Sequence, residues 1–543
     1  MKLKQIACCV SMALATLTST AQKTNYSWDN LPKAAKPTFK KDTFNILKYG
    51  AVADGITLNT KSINDAIDAC SKKGGGVVLV PQGFWMTGPI VFKSNVNLHL
   101  NGAALLQFTN DKSQYPLVIG NWEGHPSPRN QSPISGTDLT NIAITGEGII
   151  DGHGEAWRYI GKDKLTEPEW KQLVASGGIV SEDKKTWYPS ESFMKGAKTK
   201  DAISIQPGKT LKDYEDMKDF FRANMVVFNN CKKVLLQNTT FRNSPAWCLH
   251  MLLCEDLTLL NVTVHTEWNA QNGDAIDVES CKNVLIEGSN FSSGDDGICV
   301  KSGRDEDGRK RGIPTENMVV HNCTVYRGHG GFVIGSEMSG GAKNIFVSEC
   351  TFIGTDIGLR FKTTRGRGGI VEKIYIKNIS MKDILHEAIL FDMYYMVKAG
   401  KKELKPVTEA TPQFKDFYVS DIVCDGAEKA IMIRGLPEMS IKGIHLENMV
   451  LKSDKGAEII EADDISLKNI SLLSKDTNPS IFIDNGSNLS FDNIKYTNNA
   501  GLLFSINGDK SAQIKVRKTD VSKAAKQAEF NNGATEKALI LSN

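Results

Sequence analysis

The chain has 543 residues, 41% of them hydrophobic and 23% charged, and a formal net charge of +3 at pH 7. A chain this long and apolar can bury an extended core. So small a charge, with no Lys/Arg run interleaved with aromatics, excludes a nucleic-acid partner as the expectation, and no stretch after the first residues reaches the ~18 to 20 apolar residues of a membrane span.

In chain order, Lys2 and Lys4, the apolar stretch from Ile6 to Leu17 and Ser19-Thr20-Ala21 before Gln22 predict an export signal over residues 1–21. The mature protein is then exported, to the periplasm or beyond. Residues 22–43, with Pro and Lys but no periodicity, are expected to be a linker, and residues 44–543 a single domain. Asn64 to Cys70 is the one short helix expected, closing the open end of a solenoid core. A Trp-, Pro- and charge-rich insertion runs from Leu106 to Arg222, interrupted at Ile142 to Asp151. Its Trp122, Trp157, Trp170 and Trp187 fit a cleft wall and ordinary packing equally well.

From Val234 onward an eight-residue unit of alternating apolar and polar residues recurs, often with Asn or Asp fifth. It starts at Val234, Leu257, Val284, Met318, Ile345, Ile374, Phe417, Ile444, Ile465 and Leu489. Period-two alternation with β-branched residues predicts a strand in each copy. Unequal intervals mean loops inserted on a constant core, and one strand per copy without helical periodicity suits an all-β fold, a single-stranded right-handed parallel β-helix, better than a horseshoe or a propeller. The insertions Arg304 to Asn317 and Met393 to Phe414 are the longest in this half. Nine cysteines remain after residue 21; Cys231, Cys254 and Cys281 each precede an octamer by three residues, and Cys323 and Cys350 share its sixth position. That placement predicts thiols stacked inside the coil rather than a disulfide framework. Asn238, Asn261, Asn322, Asn378 and Asn469 share one repeat position and are expected to form a ladder of turn amides.

A second strand precedes the octamers, at Ala246 to His250, Ala275 to Glu279, Gly297 to Lys301, Gly331 to Gly335 and Gly358 to Lys362, continuing at Ala388 to Asp392 and Ala430 to Arg434. Aligned on the small first residue, Asp274 and Asp296 fall in one column a coil apart, Asp295 and His329 share the preceding column, and Arg360 and Lys362 lie on one strand face two coils beyond Asp296. Stacked strands are about 4.8 Å apart, so the aspartates repel unless one takes a proton or a cation compensates, and coil packing alone requires no such cluster.

At these residues the chain resembles family 28 of the glycoside hydrolases, the polygalacturonases, whose pattern is Asn-x-Asp, Asp-Asp, Gly-His-Gly and Arg-x-Lys. Here these are Asn272-Gly273-Asp274, Asp295-Asp296, Gly328-His329-Gly330 and Arg360-Phe361-Lys362, in that order. Phe44 to Ala51, Gly74 to Val78 and Gly148 to Gly152 extend the resemblance upstream, so that it implies a pectin-lyase-like solenoid over most of the chain. It further implies hydrolysis of galacturonosidic bonds in pectin with inversion. Asp295 would be the general acid, Asp274 and Asp296 would hold and deprotonate a water, and His329 would stand beside the acid. Arg360 and Lys362 would bind a galacturonate carboxylate, with Asn272 and Tyr394 or Tyr395 also contacting substrate, and no metal or other cofactor is implied. Gly273, where the family commonly has Thr, is expected to leave room near Asp295. The insertions favour exo action, and the insertion after Asp296 resembles that of bacterial exo-polygalacturonases. The partner expected is a pectic polysaccharide, met by a monomer. A rhamnogalacturonan or xylogalacturonan hydrolase is the alternative, with a calcium-dependent lyase and a noncatalytic glycan-binding β-helix behind it.

Overall fold

In a computed structural model describing residues 25–397 and 403–542, the eight-residue units become the turning edge of a parallel β-helix. In the coils starting at Val234, Leu257, Val284 and Met318 the unit is not the one straight strand its alternation suggests. It breaks into two, as at Lys232–Gln237 and Thr240–Arg242. The break falls at the fifth residue, where Asn238, Asn261 and Asn322 take positive φ and a Gly does so in the Val284 unit. Asn tolerates this left-handed conformation better than most side-chain-bearing residues. Later units run on as single strands, such as Ile370–Lys382, yet Asn378 keeps φ 55 there. The turn amides bond from coil to coil, Asn261 Nδ2 to Asn238 Oδ1 at 3.3 Å and Asn469 Nδ2 to Asn448 Oδ1 at 3.1 Å. A second ladder that the repeat did not announce links Asp256, Asn283, Asn317 and Asn344.

Nearly every strand joins one parallel sheet. Ile276 pairs with Ile298, Asp296 with Gly330, and Val333 with Arg360. The alignment on small residues therefore holds from Ala275 to Ala430. It fails at Ala246: Leu249 pairs with Ile276, which sets Cys248 beside Ala275 and shifts that copy by two residues. A two-residue slip keeps every side chain on its face, which is why the alternation could not expose it.

The core is a continuous column of Ile, Val, Leu and Phe that takes in eight of the nine described cysteines, Cys299 facing Asp296 instead, and all nine are buried and free. Its open end is covered by the helix Thr60–Lys72, longer than expected, which turns Ile63, Ala66, Ile67 and Cys70 inward. It is not the only helix. Glu167–Ala175 and Glu191–Lys198 lie in the long insertion and Asp305–Arg311 follows the site; the first two carry only short apolar stripes among charges and the third carries none. The four insertion tryptophans are all buried, which decides for packing over an exposed wall. Within residues 25–43, Trp28 packs edge-on against Phe346 at 5.3 Å, and Ala35 N–H donates to Asp256 Oδ1. The export signal expected at residues 1–21 lies outside the described residues.

Candidate active site

Two consecutive coils deliver the acidic cluster. Asp274 ends the loop before the strand Ile276–Glu279, Asp296 opens the strand Asp296–Lys301 one coil on, and Asp295 precedes it. Carboxylate oxygens of Asp274, Asp295 and Asp296 all lie within 4.8 Å of one another. Asp274 and Asp296 are buried, whereas the Asp295 side chain remains partly exposed. Repulsion at this distance needs positive charge or a proton, and the chain supplies cations. Lys362 Nζ donates to Asp296 Oδ2 at 2.7 Å and Arg360 Nη1 to Asp296 Oδ1 at 3.1 Å. Burial would raise the Asp296 carboxyl, but Lys362 and Arg360 outweigh it and hold the group far below the usual carboxylate range. Asp274 goes the other way: burial, then Asp277 and Asp295, push its carboxyl well above the usual value, opposed by Lys301. Two aspartates in one column are thus driven apart by their neighbours, a pattern that assigns acids and bases in enzymes.

His329 stacks one coil beyond Asp295. Its Nδ1 lies 2.9 Å from Asp295 Oδ1 and its Nε2 3.7 Å from Asp356 Oδ2. The hydrogen bond to Asp295 raises the imidazole pKa against its partial burial. Asn272, at φ 52, lines the cleft while its Oδ1 accepts from Arg222 Nη2 at 2.9 Å. Tyr395 and Tyr394 part company. Tyr395 lines the cleft, its ring 5.0 Å from Lys362 Nζ and 5.8 Å from the Arg360 guanidinium, whereas Tyr394 lies between Arg365 and Arg434 and packs on the core. Gly273 does not shape the cleft as expected: a Cβ there would meet Ala270 O at 2.7 Å and Thr266 Oγ1 at 3.2 Å within its own loop.

The cleft encloses about 380 Å³ and contains charged residues that the motifs did not single out. Lys301 is buried at its floor, 3.1 Å from Glu337, 3.4 Å from Asp277 and 3.8 Å from Asp274. The signal was in the repeat, since Lys301 stands four residues after Gly297 as Lys362 does after Gly358. Between these two lysines the column holds Gly335 at φ +96, where a Cβ would lie 2.0 Å from the Lys362 carbonyl oxygen. Arg304, Arg367, Glu123 and Trp247 complete the charged and aromatic lining.

The walls are insertions tied to one another. An antiparallel hairpin, Leu117–Trp122 with His125–Asn130, stacks Trp122 on Trp247 at 5.4 Å and is pinned by Arg129 over the Trp122 ring. At its tip, Glu123 Oε2 accepts from Arg304 Nη1 at 2.6 Å, and His125 Nδ1 lies 2.8 Å from Asp307 Oδ2. Asp305 accepts from Arg367 at 2.6 Å, and Arg365 makes a two-point pair with Glu438. Met396 and Val397 form an exposed apolar rim beside Tyr395.

Residues 212–469 match the family described as glycosyl hydrolases family 28, and residues 43–210 one described as rhamnogalacturonase A/epimerase, pectate lyase-like. The chain is 28% identical to an exo-poly-alpha-D-galacturonosidase of Dickeya chrysanthemi over 439 residues, 78% of this chain and 70% of that protein. It is 29% identical to a probable polygalacturonase of Vitis vinifera over 420 residues, covering 75% of this chain and 74% of that one. Among solved structures, the exopolygalacturonase of Thermotoga maritima superposes with a TM-score of 0.65 at 28% identity, covering 85% of this chain and 94% of that one.

Proposed function

We propose, from the premise that the chain belongs to family 28 of the glycosyl hydrolases, that it hydrolyses the α-1,4-galacturonosidic bonds of polygalacturonate from chain ends, inverting the anomeric carbon. The observation that carries the reading is the split of the aspartate cluster: one carboxylate saturated by two cations, one raised by burial, and a third reachable from the cleft, all within 4.8 Å.

Asp295, partly exposed and held by His329, protonates the departing glycosidic oxygen. Asp274, its carboxyl raised by burial where that of Asp296 is lowered by cations, is the stronger base of the two and takes a proton from a water that it shares with Asp296. Carboxyl separations of about 6.5 to 9.5 Å are usual for inversion, and this cluster is tighter. Inversion is favoured nonetheless because Asp296 has both oxygens committed to Arg360 and Lys362. A carboxylate so occupied makes a poor nucleophile but a good holder of water. The same two cations, beside Tyr395, suit a galacturonate carboxylate, which a guanidinium grips at two points and an ammonium at one.

Exo action draws support from the tied walls. Glu123 to Arg304, His125 to Asp307 and Arg367 to Asp305 join a hairpin, a helix and a loop into a barrier on one side of the cleft. A blocked groove admits a chain terminus and not a passing chain. The exo names of the Dickeya and Thermotoga relatives support the same reading. Hydrolysis of rhamnogalacturonan is the alternative reading, favoured by the match of residues 43–210 to the family described as rhamnogalacturonase A/epimerase, pectate lyase-like. The protein is exported, a reading that rests on the export signal expected at residues 1–21. Digestion of polygalacturonate and of rhamnogalacturonan tests the substrate and the mode together. Release of monogalacturonate or one short oligomer with slow loss of viscosity is expected from the first. Release from the second alone overturns the substrate. Proton NMR of the first product reads its anomeric configuration, and retention would overturn inversion.

A further inference from the structure

Beneath the aspartate cluster lies a buried charge network that the proposed reaction does not use. Lys301, Asp277, Glu337, Glu279 and His250 are all at least nine-tenths buried. Lys301 is its hub: its ammonium meets Glu337 Oε2 at 3.1 Å, Asp277 Oδ1 at 3.4 Å and Asp274 Oδ2 at 3.8 Å, and sits 4.8 Å from the centre of the Trp247 ring. Each remaining cation near the cluster is engaged elsewhere. Lys362 and Arg360 hold Asp296, Arg367 holds Asp305, and Arg311 holds Glu279 with His250 on its other oxygen. Among the described residues, Lys301 is the one basic side chain paired with Asp274. Asp274 Oδ1, buried, has no hydrogen-bond partner. Its neighbours Asp277, Asp295 and Asp296 are all acidic.

We infer that Lys301 is a positioning residue for Asp274: by facing its Oδ2 beside the Trp247 ring it favours the ionised form of that carboxylate and fixes its orientation, so that it can accept a proton from the attacking water. The inference rests on the assignment of Asp274 as the base. Without an ammonium there, burial and the acidic neighbours would raise the Asp274 carboxyl further, and a protonated carboxyl accepts no proton. Glu337 is the competitor. It takes the shortest contact to Lys301, shares Arg367 at 3.6 Å, and carries its charge throughout, because Lys301 and Arg367 outweigh its burial and hold it at about 2. Glu337 therefore limits how much of the Lys301 charge reaches Asp274, while Asp277, lifted by burial to about 7, adds little negative charge in acid.

Two substitutions with opposite signs test this. Lys301→Met keeps length and apolar bulk but removes the charge. The acidic limb of the kcat profile on polygalacturonate should move to higher pH by about one unit or more, lowering turnover about tenfold on that limb, with KM changed by less than about threefold. Lys301→Arg should restore the limb. Glu337→Gln should move it to lower pH, because Lys301 is then freed for Asp274. A generic loss of packing predicts no such reversal, and circular dichroism with thermal melts identifies a variant that has merely unfolded. If Lys301→Met is folded but its acidic limb is unmoved, or its loss is confined to KM, the inference is wrong and Lys301 is a substrate ligand or a structural ion. Asp274→Asn separates the two levels: an inactive Asp274→Asn beside an unmoved Lys301→Met overturns this inference alone, whereas an active Asp274→Asn overturns the assignment of the base.

Discussion

Replacing Lys362 by Met exposes how much of the site is held by charge. The ammonium stands 2.7 Å from Asp296 Oδ2 with both side chains at most 5% exposed. At that distance and an effective dielectric constant of about 20, the attraction is roughly 6 kcal/mol before desolvation is charged against it. Stranding one partner of a buried pair costs about 3 to 5 kcal/mol. Arg360 remains on Oδ1 at 3.1 Å, so the lower end, ~3 kcal/mol, is expected. The sign of the pH dependence follows from the depressed Asp296 carboxyl. A lowered folded pKa gives stability that is present above the unfolded value, about 4, and lost only as pH falls through the folded one. Urea unfolding followed by tryptophan fluorescence should thus give the same deficit at pH 7 and pH 5, shrinking only in strong acid. Adding Asp296→Asn removes the stranded anion and should recover part of the loss. A deficit below about 1 kcal/mol, the scale of a surface pair, or a double variant no more stable than the single, would refute the reasoning.

Asp295→Asn should still accept the His329 hydrogen bond yet supply no acidic proton, so turnover on polygalacturonate should fall about 10²-fold or more with binding retained; near-normal turnover in the folded variant would remove Asp295 from its role. His329 carries a raised pKa through its bond to Asp295, so whatever the charged pair contributes is fully present below the ordinary imidazole value and fades as pH rises through the raised one. An alkaline limb of kcat/KM that vanishes in His329→Gln would register this, and identical profiles would deny it. Deleting the Glu123 to Arg304 tie with Arg304→Ala should loosen the wall, so that viscosity drops faster for each reducing end formed; an unchanged ratio would show that this contact does not set the mode of attack.

The acidic cluster was legible because solenoid geometry turns a sequence offset into a spatial neighbour. Asp274 and Asp296 share a column in the alignment, and the backbone pairs Ile276 with Ile298 two residues further along. His329 beside Asp295 followed from the same rule. Lys301 was equally visible, four residues after a strand-initial Gly, and was passed over because no motif names it. What the repeat could not encode is everything that depends on direction. Nothing in Tyr394-Tyr395 says which ring faces the cleft, and alternation cannot distinguish a straight strand from one bent at Asn238. The walls were visible only as extra length, because the pairing of Glu123 with Arg304 spans 181 residues and has no periodic signature.

The buried thiols turn the solenoid into a ruler of its own opening. Cys231, Cys254, Cys281, Cys323 and Cys350 mark successive levels of the stack and Cys424 a level two coils on, with Cys70 on the inner face of the capping helix. Burial lifts the Cys70 thiol to about 11 and Cys424 to about 12, and only thiolate reacts readily with disulfide or alkylating reagents. In the closed protein Cys70 and Cys424 are shut twice over, by access and by ionisation, and the other buried thiols are shut by access. Each becomes reactive only when its own coil separates from its neighbours, and local openings in one protein span free energies from near zero to that of global unfolding. Residue-resolved labelling by mass spectrometry would therefore report, coil by coil, whether the charged floor around Lys301 belongs to the firm middle of the column or to a stretch that loosens first.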